Sequence, residues 1–537
     1  MTTQPAGKTN SFDFAAWPPK LTEEQLAILI ANASSYALSH GLLYLPPGYP
    51  LDSPPPQAAI HAPVSLIPSP FPRHLFESAK RLQKIYNVLY ARIAMDTAFL
   101  DDVMGSERGV GKVDEFIGVL WRGWKKLRDE GKLDLNELHL GLFRSDYLLH
   151  VPETAGAEAS IKQVEFNTIS VSFGSLAQRV AELHRFQSLA TDAFFGTSPH
   201  LERESFPENE SIKGLAEGLA AGHRAYIQTG GSPKSKILMV VQPGERNVFD
   251  QKWLEFELLE KHSIQVLRQT SAELLTSASV DSTSTLRVSS SSSSASTEIS
   301  VVYYRSGYMP HEYPEPSYYT LRFLLESSNA IKCPSIALQL AGGKKVQEVL
   351  TQPGAVEKFL PEFSAAEIQE LRGSFMDMWA LDENNVDVGS GGLVDGEPRG
   401  TSKARREYSS LVLKPQREGG GNNVYKEDIP AFLDSLPSAE REAWIAMRLI
   451  EVPHGVKGWL LRAGNAESSA SPQSPRAVEA EVVSELGIFG WALFGKGDGK
   501  ERIEEKEVGW LVRTKGKDSN EGGVATGFSV LDSLVLV

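Results

Sequence analysis

Residues 235 to 305 read strand, helix, strand, strand, an order that leaves few sheets to choose from. KILMVVQ is an apolar run of the kind found in strands buried on both faces, and FDQKWLEFELLEKH has helical periodicity. SIQVLRQ and ISVVYYR read as two further strands. A strand that returns through a helix to a neighbour of the same direction builds a parallel sheet with crossover connections. Ligands of such sheets sit beyond the carboxyl ends of the strands. The first strand runs into Gly244, Glu245, Arg246 and Asn247, and the last into Arg305, Ser306, Gly307 and Tyr308. The planar fork of Arg305 suits a carboxylate and Glu245 suits an ammonium group, which together describe an amino-acid or peptide pocket. Ordinary loop polarity explains the same residues and is the commoner case from spacing alone.

The chain has 537 residues, enough for two to four domains or one large enzyme with insertions. Its formal net charge of -14 argues against general nucleic-acid binding and requires a local basic pocket for any anionic ligand. A single cysteine, Cys333 in IKCPSIAL, excludes an intrachain disulfide and reads as a small buried side chain. No basic-then-apolar leader and no apolar run of membrane-spanning length occur, so the expectation is a cytoplasmic protein with no membrane partner. The 11 histidines form no HExxH pattern, and His184 falls in an expected helix as a structural residue.

Thr22 opens a helix through the capping-box pattern TEEQ, and Gly41 closes it. Residues 74 to 130 read as largely helical. FRSDYLLH and IKQVEFNTISVSFG read as strands, followed by a helix from Leu176 to about Ser188. Residues 274–299, 386–406 and 465–476 are rich in Ser, Gly or charge and are expected to be low-complexity surface loops.

Three stretches carry candidate chemistry. LVLKPQREGGGNNVY lacks the Gly-Lys-Ser/Thr of a Walker loop and the spaced glycines of a Rossmann turn. It reads either as a floppy Gly-rich turn or as a hairpin tip closing over phosphates, with Lys414 as a point charge and Glu418 able to reach a metal. In VEFNTISVSFG, Glu165 and Asn167 lie two apart on a strand, so both present oxygen to one face; an exposed polar strand face is the plainer alternative. Ser170 and Ser172 continue the alternation or enter a turn, where they could hold a carboxylate or amide. In WLVRTKG, Arg513 and Lys515 share a strand face ahead of GGVATG, as a site for a developing oxyanion or a transferred phosphate would, or as a solvated strand end.

Together, FRSDY, KQVEFNTISVSFGSLAQR, ERNVFDQ, VVYYRSGYMP, QLAGGKKVQ, LVLKPQREGGGNNVY, SELGIFG and the terminal RTK with GGVATG resemble the eukaryotic-type glutathione synthetases, an ATP-grasp family. The resemblance spans residues 141 to 532. It implies a mixed α/β ATP-grasp fold with antiparallel sheets, a parallel-sheet substrate domain and a mobile Gly-rich lid. It places a main body at 1–232 and 478–537, the parallel domain at 233–342 and the lid region at 343–477. It implies an ATP-dependent ligase joining γ-glutamylcysteine and glycine through an acyl phosphate, with Mg²⁺ as cofactor, in a homodimer. The family pattern assigns Glu165, Asn167 and Glu418 to Mg²⁺. It assigns Lys344, Lys414, Gly419, Gly420, Gly421, Asn423, Tyr425, Met447, Ile450, Glu485, Lys515 and Glu521 to the nucleotide. Arg144, Ser170, Ser172, Glu245, Asn247, Gln251, Arg305, Tyr308, Arg513, Val524 and Ala525 match the peptide and glycine pocket. Arg144, Arg513 and Lys414 are the catalytic candidates.

The chain departs from the pattern at Arg448 and Leu449, where the family usually carries an acidic residue after the methionine, and at Gly343, where a hydroxyl is common. Two alternatives stay open at this point: a sister ligase using β-alanine or serine as the amine, and a nucleotide-binding pseudoenzyme.

Overall fold

The computed structural model describes residues 12–46, 58–133, 138–152, 158–290, 293–382, 393–394, 397–417, 421–462, 477–497, 500–519, 524 and 529–537. Helix α1 (Glu23–Ser39) begins at the expected capping box, with Thr22 and Gln25 exchanging side-chain-to-backbone hydrogen bonds of 2.9 and 3.2 Å. The segment expected to be largely helical contains α2 (Arg73–Met95), a short helix Thr97–Val103, and α3 (Glu115–Asp129). Strands β1 (His139–His150) and β2 (Ser160–Asn167) pair antiparallel. The alternation read through to Gly174 stops at Asn167. Ser170 and Phe173 take φ of 52° and 69°, so 168–173 is a loop, and it leads into α4 (Gly174–Ala190) and then α5 (Ser211–Gln228).

The parallel unit follows: β3 (Lys236–Val241), α6 (Val248–His262), β4 (Val266–Thr270), β5 (Ser293–Tyr304) and β6 (Ile331–Cys333). Its strands lie side by side as β4-β3-β5-β6, all parallel. The Ser-rich stretch 274–299, expected to be a loop, is instead built into this sheet. Ser271–Ser277 is helical, and strands Ala278–Val280 and Leu286–Ser290 extend the sheet antiparallel from the first half of β5. Leu274 and Leu286 are fully buried and Val288 nearly so. The apolar pair Leu286 and Val288, two apart, fills one strand face, and the serine background hid that period.

Next come α7 (Lys344–Thr351), β7 (Met378–Ala380), α8 (Arg399–Glu407), β8 (Leu411–Lys414), β9 (Val424–Tyr425), α9 (Asp428–Ser435) and β10 (Ile445–Arg448). They form an antiparallel sheet in the order β7-β10-β8-β9. Trp379, Leu411, Leu413 and Ala446 pack under α8 and α9 on one face. Met378, Val412, Ile445 and Met447 form an apolar patch on the other. Helix α8 corrects the loop expected at 386–406. Thr401 and Ala404 are fully buried, and Gly400 lies so close to the sheet that a Cβ there would stand 2.0 Å from Ala380 O. Residues 383–392, 395–396 and 465–476 lie outside the described residues.

Strands β11 (Lys457–Leu461), β12 (Ala477–Gly497), β13 (Lys500–Gly516) and β14 (Ser529–Asp532) complete a seven-stranded sheet. Its order is β11, Val64–Ser65, β14, β13, β12, β1, β2. Helix α2 covers one face, where Tyr90 stacks on Phe166 at 3.9 Å and Phe76 meets Trp510 edge-on at 6.1 Å. On the other face Leu140 and Leu142 of β1 pack against α5, close to Gly222 and Gly218. The next side chains along that face of β1 are Arg144 and Asp146. The change from hydrocarbon to charge marks the beginning of the site.

Candidate active site

Register brings the charged residues into one row. Arg144 stands opposite Asn167 and Asp146 opposite Glu165 across β1 and β2; Asp146 stands opposite Gly487 of β12, and Glu485 of β12 opposite Arg513 of β13. Directly opposed residues share a sheet face, so these side chains converge. Gly487 leaves room for them, since a Cβ there would lie 2.9 Å from both Arg144 Cδ and Asp146 Oδ1. Arg144 donates from Nε and Nη2 to the two Asp146 oxygens at 2.6 and 2.7 Å. Arg513 Nη2 donates to Asp146 Oδ2 at 3.0 Å and also to Glu485. Burial alone would lower the Arg513 pKa, but Glu485 and Asp146 hold it above its ordinary value.

Glu165 lies among cations. Lys344, at the start of α7, places Nζ 3.0 Å from Glu165 Oε2, and Lys414 at the end of β8 donates to Val164 O at 2.8 Å. Burial works to raise the Glu165 carboxyl; Lys344, Lys414 and Arg513 outweigh it and hold it down at about 2. The AGGKK turn sets this contact, because Gly342 packs so tightly on Thr168 that a Cβ would stand 2.4 Å from Thr168 Oγ1. Lys515 lies two residues beyond Arg513 on β13, opposite Val483.

The expected metal ligands are partly on view. Asn167 Nδ2 donates to Asp146 Oδ2 at 3.0 Å and to Arg144 O at 3.1 Å, which fixes the amide with Oδ1 as its remaining acceptor. One carboxylate and one amide oxygen suit hard Mg²⁺, which takes few protein ligands and completes its shell with phosphate and water. Among the described residues no group of three or more His, Cys, Asp or Glu forms a metal cluster. Glu418, the third expected ligand, lies outside the described residues, as do Gly419, Gly420, Glu521 and Ala525.

The apolar face of the four-stranded sheet gathers Met447, Tyr425 and Ile450 with Met376, Met378 and Val412. Asn423 Nδ2 donates to Tyr425 Oη at 3.2 Å, and Gly421 takes a φ of 91° at the end of the glycine run. Arg448 does not enter this face. Strand alternation turns it to the side covered by α8, where it pairs with Glu407 at 2.8 Å and with Asp377 at 3.5 Å.

The peptide-pocket residues meet around the loop 168–173. Arg144 Nη1 donates to Ser172 O at 3.4 Å, and Ser170 Oγ donates to Arg305 O at 3.1 Å. Arg305 Nη1 in turn donates to Val171 O. Asp250 closes the arrangement, accepting from Phe173 N, Ser175 N and Leu176 N at 2.8, 2.9 and 3.3 Å with Arg305 Nη2 at 3.7 Å. Gln251 Oε1 accepts from Arg268, Glu245 Oε1 from Asn247 N, and Tyr308 Oη from Gln242. Among the described residues, Asn247 Oδ1, Gln251 Nε2, Arg305 Nε and Ser306 Oγ are buried without a hydrogen-bond partner. Four such atoms from one strand-end region are the mark of a polar ligand site. Val524 is buried.

A profile described as the eukaryotic glutathione synthase ATP-binding domain matches residues 23–536. The chain belongs to the eukaryotic glutathione synthetase family. Glutathione synthetase of Homo sapiens is 37% identical, covering 95% of this chain and 97% of its own. The glutathione synthetase large chain of Schizosaccharomyces pombe is 35% identical, covering 96% and 99%. A solved glutathione synthetase-like effector of Globodera pallida superposes with a TM-score of 0.69 at 23% identity, covering 96% and 98%, and shares the fold. The glutathione synthetase assignment makes the chain an ATP-dependent ligase.

Two central residues escaped the sequence reading. Asp146 lies two residues from Arg144 in FRSDY, a same-face signal that was present but unused. Asp250 had no local signal, since its backbone N–H partners lie 74 to 77 residues away.

Proposed function

We propose that the chain joins γ-glutamylcysteine to glycine, giving glutathione, ADP and phosphate. The observation that supports this most is the Glu165 carboxylate 3.0 Å from Lys344 Nζ, together with buried polar atoms of Asn247, Gln251, Arg305 and Ser306 that have no partner among the described residues. The adenine lies on the apolar face of Met447, Tyr425 and Ile450, with Asn423 at its edge. Lys344, Lys414 and Lys515 draw the phosphates toward Glu165. Arg305, Ser170, Ser172, Asn247, Gln251, Glu245 and Tyr308 hold the peptide, and Arg144 brings its reacting carboxylate to the row of charges.

A carboxylate oxygen then attacks the γ-phosphorus and the bond to ADP breaks. Glycine's amine, held near Val524 and Ala525, attacks the acyl carbon. The amine loses a proton, and phosphate leaves with the former carboxylate oxygen. Arg144 and Arg513 stabilise the negative charge in both steps. Glu165, Asn167 and Glu418 would hold Mg²⁺, which would neutralise phosphate charge. The lid read for 343–477 would keep water from the acyl phosphate; most of the glycine run read as its tip, with Glu418, lies outside the described residues.

The three-part division of the chain and a cytosolic location belong to the same reading, the latter supported by a lone, buried Cys333. Among the described residues, no helix is long and apolar enough to cross a membrane. A homodimer is supported by Leu38 of α1, Phe186 and Leu189 of α4, and Phe256 and Leu259 of α6, all exposed large hydrophobics on neighbouring helices. The test is ADP release with ATP, Mg²⁺ and γ-glutamylcysteine, comparing glycine, β-alanine, serine and no amine, with the product weighed by mass spectrometry. Glycine-dependent turnover to glutathione is expected. Turnover with another amine alone replaces the product assignment, and no turnover with any amine favours a pseudoenzyme.

A further inference from the structure

One carboxylate ties together three functions. Asp146 is fully buried, and its two oxygens accept four hydrogen bonds. Two come from Arg144, one from Asn167 and one from Arg513. The acceptors therefore join a residue read as peptide-binding, one read as metal-ligating and one read as charge-stabilising. We propose that Asp146 is the positioning residue of this site, fixing Arg144, Arg513 and the metal-facing oxygen of Asn167 in one geometry; the inference rests on the ligase reading above.

The chemistry of each contact says why a carboxylate is needed. Arg144 meets Asp146 by a two-point fork, so its guanidinium plane is set as well as its place. Asn167 could turn its amide either way, but both atoms facing Nδ2, Asp146 Oδ2 and Arg144 O, are pure acceptors. The nitrogen must face them, and Oδ1 is left for a cation. Partners that orient a metal ligand in this way commonly change metal affinity 10- to 100-fold when removed. Arg513 Nη2 is shared between Asp146 and Glu485, so the two carboxylates fix that end of its guanidinium across β12. An apolar or neutral residue at 146 would leave the buried Arg144 without its carboxylate and Arg513 with Glu485 alone. Gly487 is the spatial counterpart: it lies directly opposite Asp146 in the ladder and leaves the surface on which the Arg144–Asp146 pair rests.

The experiment uses the full chain and Asp146→Asn. Its isosteric amide keeps the shape while turning one acceptor into a donor. Mn²⁺ affinity is read by electron paramagnetic resonance with a non-hydrolysable ATP analogue, peptide affinity by calorimetry, and metal-free affinity for the analogue as the control. The expected result is Mn²⁺ and γ-glutamylcysteine affinities each weakened about 10-fold or more, with metal-free analogue affinity within about twofold, because the adenine face lies on another sheet. Gly487→Ala, which displaces the pair without changing its chemistry, should weaken the same two affinities; it also decides the question if Asp146→Asn does not fold. Folded variants whose Mn²⁺ and peptide affinities both stay within about twofold of wild type overturn the proposal. Wild-type protein that binds Mn²⁺ with the analogue but not γ-glutamylcysteine overturns the peptide reading instead, and the Mn²⁺ comparison then decides the role of Asp146 alone.

Discussion

Asp250→Asn tests how the parallel unit controls the substrate loop. The carboxylate accepts three backbone N–H groups at the start of α4, two on Oδ1 and one on Oδ2, and stands 3.7 Å from Arg305. Burial raises its carboxyl pKa above the ordinary value, against Arg305 and those N–H groups. An asparagine keeps one oxygen but points an N–H₂ at a backbone N–H. The orphaned donor costs about 1–3 kcal/mol. Loss of negative charge at a helix N-terminus adds up to about 1 kcal/mol. With Arg305 also losing its counterion, the total is about 3 kcal/mol. The loop then loses its anchor beside Ser170 and Ser172, so the KM for γ-glutamylcysteine should rise about 10-fold, as about 1.4 kcal/mol of the loss would give. The KM for ATP should hold. Urea unfolding followed by tryptophan fluorescence gives the first quantity and steady-state kinetics the second. A stability loss below about 1 kcal/mol with an unchanged peptide KM would refute the clamp.

Asp532 offers a pH prediction. Burial pushes its carboxyl up to about 7, against hydrogen bonds from Thr514 Oγ1, Ser69 Oγ and Ser533 N. The folded state holds the proton more tightly than the unfolded chain, so stability falls as pH rises from 3.8 through about 7, by an amount on the order of 4 kcal/mol. Asp532→Asn should flatten that fall, which denaturant midpoints across the range will read. Leu286→Ala should cost about 2–5 kcal/mol by the same unfolding assay, since the Ser-rich hairpin carries core. Lys344→Met removes a cation from beside Glu165 and should raise the KM for ATP about 10- to 100-fold, the value of one charge-assisted hydrogen bond. Phe256→Glu should shift a dimer toward monomer in light scattering, while a wild-type mass of one chain would remove the dimer.

The parts of the fold that rest on local pattern were legible before any coordinates. The capping box at Thr22 and the strand-helix-strand order from Lys236 are set by neighbours in sequence. The apolar face of the small sheet was readable only through resemblance. The Ser-rich hairpin was misread because a strand needs only every second residue to be apolar, and Leu286 and Val288 are a short signal in a long polar background. Ser170 and Ser172 left the strand because the chain turns through positive φ there, a backbone choice that glycine would have announced and serine does not. Asp250 was invisible because its partners come from another part of the chain. Arg448 shows the value of side-chain direction: an unexpected charge next to Met447 reads as damage to the nucleotide face until alternation turns it toward Glu407.

In the proposed reaction the peptide carboxylate is phosphorylated before the amine attacks. The direct test is to supply γ-glutamylcysteine labelled with ¹⁸O in the cysteinyl carboxylate, run a turnover with ATP and glycine, and weigh the phosphate released. One ¹⁸O atom is expected in each phosphate, carried over when the acyl phosphate breaks. Unlabelled phosphate with labelled peptide retained would contradict it.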